Sequence, residues 1–166
     1  MEIEKKYRIR QMPIGLDKFE KKEIEQGYLC NEPVVRIRKS NDDYYMTYKS
    51  RLNIKADEGN ALCCEEVELP LTKESFEHLK EKVDNKLIKK IRYIIPLENK
   101  LKAELDIFLN NLEGLTIVEV EFPDETSAKA FHPPDWFGED VTFDDRFKNN
   151  YLATVDSISQ LNLRFK

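Results

Sequence analysis

The sequence predicts an α+β protein built on one antiparallel sheet of about eight strands that curls into a barrel, with a few helices outside it. Three observations favour this fold. Apolar and polar residues alternate with a period of two over eight stretches, which is typical of strands with one buried face. Those stretches stand mostly in hairpin order, and helical signals are few. The chain has 166 residues, of which 40% are hydrophobic, so it can bury one core.

The strands are the best-defined elements. Period-two alternation predicts strands at residues 2–10, 22–30, 34–40, 43–50, 61–69, 87–95, 100–108 and 115–122. Residues 51–60 form a polar stretch between two of them, and we expect a loop there.

Helical signals are confined to short segments. Thr72 is a favourable N-cap residue for a helix that runs to about Val83. Asp124 is expected to cap a second, shorter helix through Phe131, where two prolines follow. Weaker helical signals lie at residues 17–22 and from Asn149 onwards.

Composition excludes several classes of protein. The chain has 27 Lys and Arg against 32 Asp and Glu, and this net charge of −5 disfavours a broad nucleic-acid surface. No stretch approaches the roughly 18 apolar residues of a membrane span. Three cysteines, Cys30, Cys63 and Cys64, leave one over from any pairing, which favours a reduced cytoplasmic protein. The five glycines build neither a P-loop nor a dinucleotide-binding motif.

Alternation gathers the charged side chains on one face of the predicted strands. That face carries nine cations, namely Lys6, Arg8, Arg10, Arg36, Arg38, Lys49, Lys90, Arg92 and Lys102. It also carries eight anions, namely Glu2, Glu4, Glu66, Glu68, Glu104, Asp106, Glu119 and Glu121. An ordinary solvent-exposed face is one interpretation. However, solvent faces usually include more neutral polar residues, and like charges two residues apart repel each other unless a ligand relieves the repulsion.

The charged residues occur in pairs that suit a metal-bound polyphosphate. Carboxylate oxygens favour hard cations such as Mg²⁺, Mn²⁺ or Ca²⁺, and the acidic pairs are Glu2/Glu4, Glu66/Glu68 and Glu119/Glu121. Arg and Lys bind phosphate oxygens, and the basic pairs are Lys6/Arg8, Arg36/Arg38 and Lys90/Arg92. In one cavity, the metal would bridge carboxylates and phosphate while the cations held the remaining oxygens.

A set of motifs in fixed order carries a family resemblance. The first is Glu2-Ile3-Glu4-Lys5-Lys6, which fits an ExExK signature. Further motifs are QGYL at residues 26–29, VRIR at 35–38, YMTYK at 45–49, EVELP at 66–70, KIRY at 90–93, ELDIF at 104–108, EGL at 113–115, VEVE at 118–121, PDW at 134–136, VT at 141–142 and DDRF at 144–147. As a set they resemble the CYTH proteins, the triphosphate tunnel metalloenzymes, and in particular their bacterial inorganic triphosphatase-like subgroup.

This resemblance implies an eight-stranded barrel that is open at both ends, has a charged interior and carries helices outside. It implies a tunnel domain over residues 1–152 and leaves residues 153–166 as a C-terminal extension that could be helical. The implied activity is Mg²⁺- or Mn²⁺-dependent hydrolysis of inorganic tripolyphosphate to pyrophosphate and phosphate. Three alternatives remain open: a thiamine triphosphatase, a class IV-type adenylate cyclase, and a non-catalytic polyphosphate- or nucleotide-binding module.

The resemblance also implies roles for the charged residues. The expected metal ligands are Glu2, Glu4, Glu66, Glu68, Asp106, Glu119 and Glu121. The expected phosphate-binding residues are Lys6, Arg8, Arg36, Arg38, Lys49, Lys90 and Arg92. Of these, the catalytic group is expected to be Lys6, Arg38, Lys49 and Arg92. One departure is Cys64, which stands where similar proteins often have another acid. We expect a cytoplasmic monomer or homodimer whose partner is a small anionic triphosphate, without nucleic acid or membrane.

Overall fold

Nine strands pair into a single antiparallel sheet in the computed structural model, which describes residues 1–54 and 61–164. They are β1 (Glu2–Ile9), β2 (Glu20–Asn31), β3 (Val34–Ser40), β4 (Asp43–Ser50), β5 (Leu62–Pro70), β6 (Asp84–Pro96), β7 (Lys102–Phe108), β8 (Thr116–Glu121) and β9 (Phe137–Asp140). The first eight follow the order β5-β4-β3-β2-β6-β7-β8-β1, and β1 pairs again with β5. This closure confirms the predicted eight-stranded antiparallel barrel.

The described part of the chain has three short α-helices beside the sheet, α1 (Lys73–Lys80), α2 (Glu125–Ala130) and α3 (Asn149–Leu152). The predicted N-caps are confirmed: the Thr72 side chain accepts a hydrogen bond from the backbone N–H of Ser75, and Asp124 accepts one from Ser127. Helix α1 ends before the predicted Val83 because β6 already begins at Asp84. The signals near residues 17 and 149 correspond to a 3₁₀ turn at Leu16–Lys18 and to α3.

Strand β9 was not predicted from the sequence. It has four residues, too few for alternation to be recognised. It pairs with the C-terminal end of β1 through Tyr7 and Ile9. Most of the predicted loop at 51–60 lies outside the described residues.

Among the described residues, apolar side chains form two hydrophobic cores, one outside the barrel and one at an end of its interior. One core packs Ile3, Tyr7 and Val120 against α2 and β9, with the rings of Tyr7 and Phe137 5.1 Å apart. The other includes Ile117, which lies opposite Asp106 on the inward face, and it fills one end of the barrel interior under α3 and the C-terminal segment. Because apolar positions of the first core point outward, the alternate, mostly charged positions face inward.

Residues 153–164, the described part of the C-terminal segment, pack into the second core. Ala153, Val155 and Leu161 are buried there with Phe108 and Phe147. A 3₁₀ turn at Ile158–Leu161 is the helical part of this segment. Among the residues that the structure describes, no helix has the length and apolar character needed to cross a membrane.

Candidate active site

The barrel encloses a cavity of about 1080 Å³ to which all eight barrel strands contribute. Eight basic side chains from the described residues line it: Lys6, Lys22, Arg36, Arg38, Lys49, Arg51, Arg92 and Lys148. Eight acidic side chains line it as well: Glu2, Glu4, Glu32, Glu66, Glu68, Glu104, Glu119 and Glu121. The structure therefore brings together six of the seven expected metal ligands and five of the seven expected phosphate-binding residues, including all four expected catalytic ones.

Strand register explains how acids and bases come to face each other. On β1 and β8, Lys6 lies directly opposite Glu119, and Glu4 opposite Glu121. The Lys6 ammonium lies 3.3 Å from Glu119 Oε1 and donates a hydrogen bond to the carbonyl of Phe147 at 3.0 Å. Burial lowers the pKa of Lys6, but Glu119 and Glu4 outweigh that effect and raise it, so Lys6 stays charged.

Two carboxylates in the cavity have too little positive charge around them. The pKa of Glu4 is raised to about 7, first by burial and then by the negative charge of Glu119. The pKa of Glu121 is also raised, by burial and then by Glu2. Each of these shifts means that the ionised form is disfavoured where it stands. A cation placed between these carboxylates would relieve both.

The carboxylate of Glu66 is also incompletely satisfied by the protein. Its buried Oε2 atom has no hydrogen-bond partner, and the Lys49 ammonium is 3.5 Å away. The described residues do not include a preassembled group of three or more acidic, histidine or cysteine side chains that could hold a metal ion unaided.

The arginines of β3 differ in how the protein satisfies them. Arg36 donates through Nη2 to Thr47 Oγ1 at 3.0 Å, and its buried Nε has no partner. Burial, followed by the nearby charge of Arg38, lowers the pKa of Arg36. Arg38 donates through Nε to Gln26 Oε1 at 2.9 Å. Two arginines this close, which in the described part of the chain hydrogen-bond to neutral side chains and have one carboxylate contact, 3.9 Å from Arg36 to Glu68, indicate a site for an anion.

Lys90 and Asp106 do not line the cavity, although both were expected at the site. They form a buried ion pair on the inward face of β6 and β7, beyond the residues that line the cavity, with Lys90 Nζ 2.6 Å from Asp106 Oδ2. Arg92 binds the same carboxylate through Nε at 2.7 Å and Nη2 at 2.8 Å, and also contacts Glu104. Burial lowers the pKa of Lys90 to about 7 although Asp106 opposes that shift. Both oxygens of Asp106 are thus engaged by cations.

Arg8 is also displaced from its expected place. Its Nη1 donates to the carbonyl of Arg164 at 2.8 Å and lies 3.9 Å from Glu139 Oε2. The side chain borders a separate cavity of about 110 Å³. The C-terminal segment packs across this end of β1, so Arg8 faces that segment and not the main cavity.

Several cavity residues were not identified from the sequence. Tyr28 is buried and lines the cavity, and it shares the inward face of β2 with Gln26. The same alternation places Tyr28 on the inward face of β2, but Tyr28 is uncharged and so was not among the predicted charged residues. Lys148 and Asn149 reach the cavity from α3 and the turn before it, where no strand periodicity could signal them.

Cys64 faces the cavity, as its place on the Glu66 face predicts. Its Sγ lies 3.8 Å from Glu2 Oε1, its cross-strand partner. Burial, and then Glu2, raise the pKa of the thiol to about 11. Cys64 is therefore a neutral thiol beside the acidic side chains.

Comparisons with known proteins find inorganic triphosphatases among the similar sequences and structures. An inorganic triphosphatase from Nitrosomonas europaea is 37% identical over 155 residues, covering 92% of this chain and 96% of that protein. One from Acetivibrio thermocellus is 37% identical over 132 residues, covering 77% and 78%. The crystal structure of the inorganic triphosphatase NE1496 matches with a TM-score of 0.68 and 34% identity, covering 95% of this chain and 97% of that one.

A more distant match concerns the fold alone. A Hippeastrum protein with a dominant triphosphatase activity has a TM-score of 0.59 at 17% identity, covering 78% of this chain and 83% of that one. No family model matches the chain.

Proposed function

This chain belongs to the family of inorganic triphosphatases, and we propose on that premise that its cavity binds inorganic triphosphate with a divalent metal ion and hydrolyses it to pyrophosphate and phosphate. We also assign it to the CYTH proteins, the triphosphate tunnel metalloenzymes, whose motifs it resembles in order. The closed barrel with charges inside supports that assignment.

One observation carries the proposal: the same cavity leaves buried groups of both signs unsatisfied. Arg36 Nε has no hydrogen-bond acceptor, and Glu66 Oε2 has no hydrogen-bond donor, although the Lys49 ammonium lies 3.5 Å from it. A buried polar atom without a partner costs about 1–3 kcal/mol, and more when it is charged. A ligand that carries anionic oxygens together with a bound cation would satisfy both atoms. A simple anion or a metal ion alone would satisfy only one.

The acidic residues fit a divalent metal ion. Glu4 and Glu121 have raised pKa values that a cation would reverse, and Glu66 has an unpaired oxygen. Mg²⁺ commonly takes one or two carboxylates together with substrate phosphates, so a site without a preassembled three-carboxylate group suits an ion that arrives with the substrate. We therefore propose Mg²⁺ or Mn²⁺ held by phosphate oxygens of the substrate together with carboxylates drawn from Glu2, Glu4, Glu66, Glu68, Glu119 and Glu121. When bound, the ion would neutralise phosphate charge and polarise the reacting phosphoryl group.

Asp106 has a different part in this scheme from the one expected from the sequence. Its two oxygens are engaged by Lys90 and Arg92, and it does not line the cavity. We assign it to holding these two cations in place, of which Arg92 lines the cavity.

The basic residues bind and orient the substrate. Lys6, Arg36, Arg38, Lys49 and Arg92 line the cavity from β1, β3, β4 and β6, so they approach a bound phosphate chain from several sides. Charge spreads over the transferred phosphoryl group in the transition state, and fixed cations stabilise it without reorganisation. One water molecule attacks in line with the departing pyrophosphate, which accounts for both products.

Phosphate release from tripolyphosphate with Mg²⁺ or Mn²⁺ tests the proposal, with ATP, thiamine triphosphate and pyrophosphate run in parallel and EDTA as the metal-free control. We expect turnover of tripolyphosphate that EDTA abolishes. Faster turnover of thiamine triphosphate would reassign the substrate, and cyclic AMP formed from ATP would indicate a cyclase. Tight binding of tripolyphosphate without turnover of any compound would indicate a binding module.

A further inference from the structure

A fully buried amide side chain connects two residues of the cavity wall. Gln26 on β2 is 0% exposed, and it does not itself line the cavity. Its Oε1 accepts a hydrogen bond from Arg38 Nε at 2.9 Å, and its Nε2 donates one to Tyr28 Oη at 3.2 Å. Arg38 and Tyr28 both line the cavity. Gln26 therefore fixes two groups that face the substrate.

Arg38 determines the orientation of this amide. The guanidinium can only donate, so the side-chain atom of Gln26 that faces it must be the oxygen. A flipped amide would bring two donors together and would also leave Tyr28 facing an acceptor. With Nε2 directed at Tyr28, the phenol oxygen accepts, and the hydroxyl proton of Tyr28 is left to point elsewhere.

The neutrality of Gln26 leaves the charge of Arg38 uncompensated. Arg92 is bound by Asp106 and Glu104, and Arg36 Nη2 lies 3.9 Å from Glu68. Arg38 differs from these two arginines. Within residues 1–54 and 61–164, its two terminal nitrogens make no hydrogen bond or ion pair with the protein. Gln26 holds the guanidinium by Nε alone, so the terminal fork remains available for two phosphate oxygens.

The backbone around Gln26 is held from both sides. Gln26 and Arg38 are direct partners in the β2–β3 ladder. On the outer face, a Cβ atom at Gly27 would lie 2.6 Å from Val83 Cγ1 and 3.0 Å from Leu87 Cδ2. These two side chains therefore pack directly against the strand where it has no side chain of its own. The strand cannot shift outward to relax a change at Gln26.

We propose that Gln26 is a positioning residue for triphosphate binding, which directs the guanidinium fork of Arg38 and the hydroxyl of Tyr28 into the cavity while leaving the Arg38 charge to the substrate. This inference rests on the proposed function. It predicts that a carboxylate at this position is harmful although it has the same shape. Gln26→Glu would keep an acceptor for Arg38 Nε but place a negative charge beside it. The Tyr28 hydroxyl would then donate towards residue 26 and away from the cavity.

The test compares Gln26→Glu and Gln26→Met with Gln160→Glu, the same substitution at an exposed site away from the cavity. Steady-state hydrolysis of tripolyphosphate and calorimetric binding of tripolyphosphate without metal are measured for each. Both Gln26 variants disturb the Arg38 guanidinium, which is expected to form charge-assisted hydrogen bonds to the substrate. Because the loss of such bonds weakens binding, we expect KM and the calorimetric Kd to rise about tenfold or more in both variants. We expect kcat to fall less than KM rises, and Gln160→Glu to match the wild type.

A double-mutant cycle separates positioning from a general structural effect. Arg38→Ala is combined with Gln26→Met, and the change in Kd is measured for both single variants and the double variant. If Gln26 acts through Arg38, Arg38→Ala has a much smaller effect in the Gln26→Met background. Independent, multiplicative effects, or an unchanged Kd in Gln26→Glu, overturn the inference. If Gln26→Met does not fold, the isosteric Gln26→Glu decides. A wild-type protein that fails to bind tripolyphosphate overturns the proposed function instead.

Discussion

The Lys49 ammonium lies 2.7 Å from the carboxylate of Glu2, although these residues come from β4 and β1, which are separated in the barrel by β5. The contact forms across the interior where β1 closes onto β5. The same ammonium is 3.5 Å from Glu66 on β5. Lys49 thus forms ion pairs with two of the proposed metal-binding carboxylates. When substrate and metal bind, Lys49 would instead contact phosphate oxygens, and Glu2 and Glu66 would contact the metal ion.

Lys6→Ala should abolish most of the triphosphatase activity without unfolding the protein. The buried ammonium lines the cavity beside Glu119, where it can stabilise charge that develops on the transferred phosphoryl group. Loss of one such group lowers kcat by about 10²- to 10³-fold or more. Lys102→Ala removes an exposed lysine outside the cavity and is the matched control. Near-full activity of Lys6→Ala, with circular dichroism unchanged, would remove Lys6 from the catalytic group.

Glu4 should make the metal-free protein less stable as the pH rises. Its pKa is raised to about 7 in the folded state from an ordinary value of 4.5, by burial and by Glu119. The contribution to stability is therefore fully present below the ordinary pKa and is lost as the pH rises through the folded-state pKa. Glu4→Gln, measured with EDTA present, should gain Tm relative to the wild type between about pH 5 and pH 8. Glu98→Gln, at an exposed site, should show no such trend, and an equal trend in both would contradict the assignment.

The same carboxyl should couple metal binding to protons. Below a pKa of about 7, a divalent ion must displace a proton from Glu4. We expect the affinity for Mn²⁺ to fall by up to about tenfold for each pH unit below that value, as measured by calorimetry. Buffers with different ionisation enthalpies would report the released proton. An affinity that does not change between about pH 6 and pH 8 would exclude Glu4 as a ligand that titrates in this range.

Asp106→Asn should be strongly destabilising. The carboxylate is the shared partner of Lys90 and Arg92, and all three side chains are buried. Breaking a buried ion pair costs about 3–5 kcal/mol because a charge is left uncompensated. Asp145→Asn breaks an exposed pair with Lys148 and should cost less than about 1 kcal/mol. Urea denaturation of both variants measures the difference, and equal stability of the two would contradict a bracing role for Asp106.

Arg8→Ala should leave substrate affinity nearly unchanged, in contrast to Arg36→Ala. Arg8 faces the C-terminal segment, whereas Arg36 lines the cavity with an unpaired Nε. We expect the KM for tripolyphosphate to change less than about twofold in Arg8→Ala and to rise about tenfold or more in Arg36→Ala. A large rise in both would restore Arg8 to the phosphate-binding group.

Much of the barrel follows from local sequence. Alternation depends only on the two-residue period of an extended chain, so it defined β1 to β8 and separated inward charges from outward apolar residues such as Val118 and Val120. The N-caps at Thr72 and Asp124 were equally local, because a capping side chain bonds to backbone three residues away. Strand β9 was missed because its pairing with β1 has no local signal.

The sequence by itself determined which residues could face the cavity, because side-chain direction alternates along each strand. Only the tertiary structure decided which of them do. Strand register and the packing of the C-terminal segment turned Arg8 away from the cavity and buried Lys90 with Asp106, while α3 brought Lys148 and Asn149 to it. The contact between Lys49 and Glu2 depends on barrel closure, which joins strands far apart in the chain. Such contacts depend on which strands pair and in which register. A period-two pattern is the same for every possible partner strand, so it does not predict them.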